Sequence, residues 1–212
     1  MLGSLHQDST IGVVLSTGPG ARESWRRDLR APGPLLNTKS IVFITGGSKG
    51  LGPSMALSFA KADVSKIAVG ARSDMSQLAK DVEAAAVTAT RNAVKVLLLK
   101  LDVTNEQSVE KAAAEVEKEF GKLDVLVNNA GILNQSAMIA DSNPEKWWQV
   151  LGVNVRGAYL VTRAFLPPLL KGNEDKFIIN VTSVGAYLVN PALKRISGVE
   201  VRVVETLSTS QC

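Results

Sequence analysis

The octet Thr45-Gly46-Gly47-Ser48-Lys49-Gly50-Leu51-Gly52 constrains the fold more than any other part of the sequence. It follows directly on Ile41–Thr45 (IVFIT), a short β-branched run, and leads into a helical stretch from Pro53 to Lys61. Glycines at such a turn allow positive φ and let other backbone come close, because no Cβ stands in the way. Pro53 suits a first helical turn, where its missing N–H is not needed. A buried strand, a glycine turn and a helix in that order open a crossover between parallel strands.

The rest of the chain repeats this alternation. Lys66–Ala71 (KIAVGA), Lys95–Leu101 (KVLLLKL), Leu123–Val127 (LDVLV) and Phe177–Val181 (FIINV) read as further strands. Helical spacing fills the gaps: Met75–Thr90, Asn105–Phe120, Pro144–Val155 and Gly157–Leu170. The second of these intervals shows Val109, Ala112, Ala113, Val116 and Phe120 on one stripe. Strands and helices alternating at this spacing predict an α/β fold, a doubly wound parallel sheet of Rossmann type covered on both faces.

Composition bounds the alternatives. A chain of 212 residues is one domain, alone or with a tail, and 45% hydrophobic with 21% charged residues excludes wholesale disorder. Aromatics are only 5%, so the core is expected to be Val, Leu, Ile and Ala. No uncharged apolar run reaches the roughly 18–20 residues of a membrane span; the richest stretch, Trp147–Leu170, is broken by Arg156 and Arg163. One cysteine (Cys212) and one histidine (His6) leave no intramolecular disulfide framework, no cysteine-based zinc cluster and no histidine pair for a metal, so no metal site is expected. The net charge of +4 comes from 24 basic and 20 acidic residues mixed along the chain, which speaks against a nucleic-acid partner. With no membrane span and no convincing signal segment, the cytoplasm is the default location.

Residues 1–38 differ in character, with STGPG at 16–20 and APGP at 31–34 and no sustained period. They are expected to form a disordered leader, a targeting segment being the competitor, and residues 39–212 the nucleotide-binding domain.

The glycine turn carries the first chemical implication. Backbone N–H groups at a strand-to-helix turn can approach a pyrophosphate, and the helix dipole behind them favours negative charge. About 20 residues after such a turn, a carboxylate usually binds the ribose 2′-hydroxyl of NAD. Here the second strand ends Val69-Gly70-Ala71-Arg72 without one. Arg72 can pair with a 2′-phosphate, and Lys49 can reach the same group, so NADP is expected and NAD is less favoured.

These residues and several later ones resemble the short-chain dehydrogenase/reductase family. Thr45, Gly46, Gly50 and Gly52 match its T-G-x-x-x-G-x-G loop, within which Ser48, Lys49 and Leu51 are also candidate cofactor contacts. Asp102-Val103 resembles the family's adenine-contacting pair. Asn128-Asn129-Ala130-Gly131 matches N-N-A-G, which implies that Asn129, Ala130 and Gly131 line the adenine-ribose side. Asn154, in VNVRG, matches the asparagine that holds a proton-relay water, and Ser183, ending NVTS, matches the serine that hydrogen-bonds the substrate. The resemblance runs from about Ser40 to about Pro191 and implies an oxidoreductase acting on a small alcohol or carbonyl.

It also implies a tyrosine thirteen positions beyond the serine and a lysine four further on, where this chain has Ile196 and Glu200. A tyrosine beside an ammonium is a tuned proton donor; isoleucine donates nothing. Tyr187 and Lys194 lie nearby as possible substitutes, Tyr159 is expected in the core, and Trp147 and Trp148 are read chiefly as core residues. Gly198–Val204 alternates like a strand and resembles the family's sixth, so the domain reads as incomplete at its C-terminal end, with the tyrosine-lysine helix missing. A catalytically inactive nucleotide-binding module, or a shortened gene product, is therefore the alternative to an enzyme. The substrate and the oligomeric state stay open.

Overall fold

The computed structural model describes residues 13–14, 39–62, 64–88, 93–133, 139–172 and 176–182. Its strands are β1 (Val13–Val14), β2 (Ile41–Thr45), β3 (Lys66–Ala71), β4 (Lys95–Lys100), β5 (Val125–Asn128) and β6 (Phe177–Val181). The helices are α1 (Leu51–Lys61), α2 (Ser76–Thr88), α3 (Glu106–Phe120), α4 (Pro144–Leu151) and α5 (Ala158–Leu169). Among the described residues the sheet runs β1-β6-β5-β2-β3-β4. All neighbours from β6 to β4 are parallel, as the alternation predicts, and β1 pairs antiparallel on the outer edge of β6.

Strand alternation sorts the core into two layers. Ile41, Phe43, Ala68, Leu99 and Leu126 face α3 and α5, where they meet Val109, Val116, Val161 and Phe165. Val42, Ile44, Ile67, Val69, Val125 and Val127 point the other way, onto Ala56, Ala60, Leu78 and Val82 of α1 and α2. The sheet is therefore wound on both faces, with a pair of aromatic rings at its centre. Of the aromatics it is Phe43 and Phe165 that stand there, stacked with ring centroids 4.1 Å apart and planes 9° from parallel.

At the N-terminal ends of the strands, Asp124 is buried and joins three of them. Its Oδ2 accepts the Ile41 N–H at 2.9 Å and its Oδ1 accepts from Lys176 Nζ at 2.6 Å. Its own backbone donates to Ile41 O and accepts from Phe177 N.

Several boundaries differ from the sequence reading. Helix α1 starts at Leu51, two residues before Pro53, because Gly50 turns directly into it with φ +67°. Asp74, not Met75, opens α2: its carboxylate accepts the Ser76 N–H and hydroxyl, while Met75 is buried under the glycine turn. The predicted end of α2, Thr90, lies outside the described residues. The two helices expected across 144–170 are one continuous rod, with a π-helical segment, Gly152–Gly157, joining α4 to α5 without a break. Tyr159 is 49% exposed and Trp148 63% exposed, which corrects the expectation that both pack in the core. The extra residue of the π turn rotates the apolar stripe, so Leu160, Val161 and Phe165 take the inner positions instead. Trp147 is half-buried, edge-on to Trp148.

Val13 and Val14 depart from the expected leader by pairing with Val181 and Asn180. Among the described residues this short pairing covers the edge of β6 that faces away from β5. The remainder of the leader, and the strand predicted at Gly198–Val204, lie outside the described residues.

Replacing Phe165 with alanine removes the partner of Phe43 and leaves a cavity at the sheet's centre. The expected loss is about 3–5 kcal/mol, read as a lower urea midpoint. A loss below about 1 kcal/mol would show that this face repacks freely.

Candidate functional site

The strand order reverses at β2. Its following crossover leads to β3 on one side, whereas β5 pairs on the other. Ligands of open parallel sheets bind outside the carboxyl ends of the strands at such a switch point. The glycine turn after β2, Arg72 after β3, Asp102-Val103 after β4 and Asn129–Gly131 after β5 all lie at this end.

The turn is shaped by one hydroxyl. Thr45 is buried, and its Oγ1 donates to Val127 O at 3.3 Å while accepting the Asn129 and Ala130 N–H groups, each at 3.0 Å. Asn129 answers with its side chain: Nδ2 donates to Thr45 O at 2.8 Å and to Gly46 O at 3.2 Å. On the other flank, the Gly46 and Gly47 N–H groups both donate to Gly70 O. Thr45 and Asn129, both candidate cofactor contacts, are thus the joint that fixes the turn between β3 and β5.

Two glycines explain why the turn tolerates nothing larger. A Cβ on Gly46, at φ +73°, would lie 2.8 Å from Ala130 Cα, and one on Gly52 would lie 2.3 Å from Gly46 O. The close packing leaves Ser48 half-buried and Lys49 and Gly50 at the surface. Leu51 is 40% exposed at the first position of α1. No side chain caps α1, and its first turn holds no acid, so its leading N–H groups face outward without a carboxylate to occupy them. A backbone cradle of this kind fits a diphosphate.

Arg72 is exposed at the end of β3. Asp102, half-buried, turns its Oδ1 back to accept the Thr104 N–H at 2.9 Å and the Thr104 hydroxyl at 2.7 Å. Partial burial pushes its carboxyl up, but these two hydrogen bonds and the Arg72 charge outweigh it and hold the group below its ordinary 3.8. Val103 is buried beside it.

Asn154 sits within the π-helical segment. Its Oδ1 accepts the Ile132 N–H and its Nδ2 donates to Ile132 O, both at 2.9 Å. The side chain thereby grips the loop that continues from Asn129-Ala130-Gly131, and a Cβ on Gly131 would lie 3.5 Å from Asn154 Oδ1. Ser183, Tyr187, Lys194, Ile196 and Glu200 lie outside the described residues. Among the described residues no group of three His, Cys, Asp or Glu side chains could hold a metal ion, and no helix is long and apolar enough to cross a membrane.

Three participants are new. Asn128 links β5 to α5 and β6, its Nδ2 donating to Thr162 Oγ1 and Asn180 Oδ1, while its own Oδ1 is buried with no partner among the described residues. The signal for it was present in N-N-A-G. Gly70, whose carbonyl takes two turn N–H groups, could have been suspected as a glycine inside a buried strand. Arg156, which donates to Thr104 O at 2.8 Å, had no sequence signal.

Replacing Thr45 with valine keeps the shape but strands the Asn129 and Ala130 N–H groups. A loss of about 2–4 kcal/mol in urea unfolding is expected, against less than about 1 kcal/mol for Thr45→Ser. Asp102 gives a second prediction. Its folded value lies below its ordinary 3.8, so its contribution is complete above that value and disappears as pH falls through the lower one. Asp102→Asn should flatten the corresponding drop in urea midpoint between about pH 5 and pH 2; an unchanged profile would assign the drop to other carboxylates.

Comparison with known proteins agrees with this architecture. Residues 40–194 match the short chain dehydrogenase family. The short chain dehydrogenase pigC of Monascus ruber is 62% identical over 152 residues, 72% of this chain and 50% of that protein. The chain thus spans about half the length of this relative. Among solved structures, NAD+-bound xylitol dehydrogenase superposes with a TM-score of 0.67 at 25% identity, covering 80% of this chain and 62% of that one. An alcohol dehydrogenase from the archaeon Thermococcus sibiricus, complexed with 5-hydroxy-NADP, gives 0.53 at 30% identity, covering 61% and 53%. Parallel sheet, switch-point glycine turn and family match agree: the chain belongs to the short chain dehydrogenase family of oxidoreductases.

Proposed function

We propose that this chain binds NADP(H) in preference to NAD(H), within an oxidoreductase acting on a small alcohol or carbonyl compound. The end of β3 carries this reading: Ala71 is buried, Arg72 is exposed, and no carboxylate stands there to meet a ribose 2′-hydroxyl. Of the acids nearby, Asp74 is engaged at the start of α2 and Asp102 by Thr104. Arg72 and Lys49 then supply the charge for a 2′-phosphate. The backbone of Gly46 to Gly52 and the start of α1 would take the diphosphate, and Asp102, Val103, Ala130 and Gly131 the adenosine.

NADPH, when bound, supplies hydride. What the chain supplies is position. Asn154 holds the backbone at Ile132, directly after Ala130 and Gly131. By resemblance, Ser183 hydrogen-bonds the substrate oxygen, and the alkoxide formed there needs a proton donor within hydrogen-bond reach.

A second reading rests on a specific observation: Ile196 and Glu200 occupy the positions where the resemblance expects tyrosine and lysine. Ile196 has no proton to give, and Glu200 would repel an oxyanion. Loss of a positioned acid costs roughly 10²- to 10⁴-fold in rate. On this reading the chain binds the nucleotide and turns over slowly or not at all.

Titration calorimetry and a hydride-transfer assay separate the two. NADPH should bind more tightly than NADH, and Arg72→Ala should weaken NADPH by about 10- to 100-fold while sparing NADH. Equal affinities for the two nucleotides would refute the 2′-phosphate assignment. NADPH oxidation across a panel of aldehydes and ketones then supports the enzyme; binding without oxidation supports the module.

A further inference from the structure

The π-helical segment lies between two parts of the site that share no hydrogen bond with each other. On one side Asn154 holds both backbone groups of Ile132. On the other, Arg156 Nη1 donates to Thr104 O, and Gly157 packs so closely on Val103 that a Cβ there would lie 2.8 Å from Val103 Cγ2. Thr104 in turn holds Asp102 through its amide and hydroxyl. The turn at 102–104 is thus fastened to the same six-residue helical segment as the loop at Ile132.

A π turn is less stable than the α-helix around it and persists where neighbouring contacts fix it. Here those contacts come from two loops at the carboxyl ends of β4 and β5, one on each flank. A shift of either loop must move the segment or break its hydrogen bonds, because packed elements of this kind change position together.

We infer that Arg156 is a positioning residue that couples the adenine-contacting turn at Asp102–Thr104 to the Asn154–Ile132 clamp. Occupation of the adenine end then tightens the clamp at the reacting end before any nicotinamide arrives. The inference rests on the nucleotide-binding reading above. Arg156 acts through the Thr104 carbonyl, to which its Nη1 donates at 2.8 Å.

The test uses the full chain, its Arg156→Met variant, which keeps the aliphatic stem and loses the donors, and Arg156→Lys, which keeps one donor. Adenosine 2′,5′-bisphosphate is the probe for the adenine end alone, and NADPH for the whole site. Amide hydrogen exchange at Ile132 reports the clamp. In the unsubstituted chain the bisphosphate should slow Ile132 exchange. In Arg156→Met it should still bind but leave Ile132 exchange unchanged, with NADPH about three- to tenfold weaker. Arg156→Lys should recover most of both effects. If Arg156→Met matches the unsubstituted chain in both readouts, the coupling is overturned and the nucleotide reading stands. Equal losses in both variants together with lowered melting temperatures would make Arg156 merely structural, which also overturns it. Failure of the folded, unsubstituted chain to bind either probe would overturn the nucleotide reading and the coupling with it.

Discussion

The Thr45 hydroxyl is the contact on which the candidate site depends. A serine or threonine hydroxyl offers one proton and two lone pairs, and here all are used at once: one donated to Val127 O and both lone pairs filled by the Asn129 and Ala130 N–H groups. Strand pairing alone carries β2 and β5 only as far as Ile44 and Val127. Beyond that point the two chains diverge, one into the glycine turn and the other toward Ile132. The hydroxyl holds the point of divergence, and Asn129 closes it from the other direction. A phosphate-sized cradle requires the turn to stay open while its base stays shut, and these bonds separate the two requirements.

This division of labour changes the meaning of the family's motif in this chain. Of its conserved-looking letters, Thr45 and Asn129 face inward and bond protein backbone. Gly46 and Gly52 are small because backbone atoms press on them. On the function proposed above, a ligand would meet N–H groups at the start of α1 together with Ser48, Lys49 and Arg72. Side-chain identity shapes the cradle, and backbone fills it.

Much of the fold could be read from the residues. Strands such as Ile41–Thr45 are buried on both faces and so appear as unbroken apolar runs, and α3 shows its stripe because one side meets solvent. The 144–169 region was harder. Its π turn inserts a residue without any glycine or proline signal that distinguishes it from a break, so one rod was read as two helices and Tyr159 was assigned to the wrong face. The site followed the same rule. Glycines and the N-N-A-G run were visible because their chemistry is local, whereas Arg156 meets Thr104 across 52 residues and left no trace in either neighbourhood. The strand at Val13–Val14 was invisible for a related reason: two valines have no period, and only the edge of β6 gives them a partner.

The sheet's connectivity also sets an order in which the site can come into being. β2, β3 and β4 are consecutive in the chain and pair with one another through short right-handed crossovers. The other edge of β2 waits for β5, and the partners of the Thr45 hydroxyl lie 82 to 85 residues further along. During synthesis the glycine turn therefore has no base to rest on until residues 127–130 leave the ribosome. Until then β2 presents Val42 to Ile44 as a bare apolar edge, the kind that pairs with whatever strand is nearest. The glycine turn is thus made 82 to 85 residues before the backbone that gives it its base.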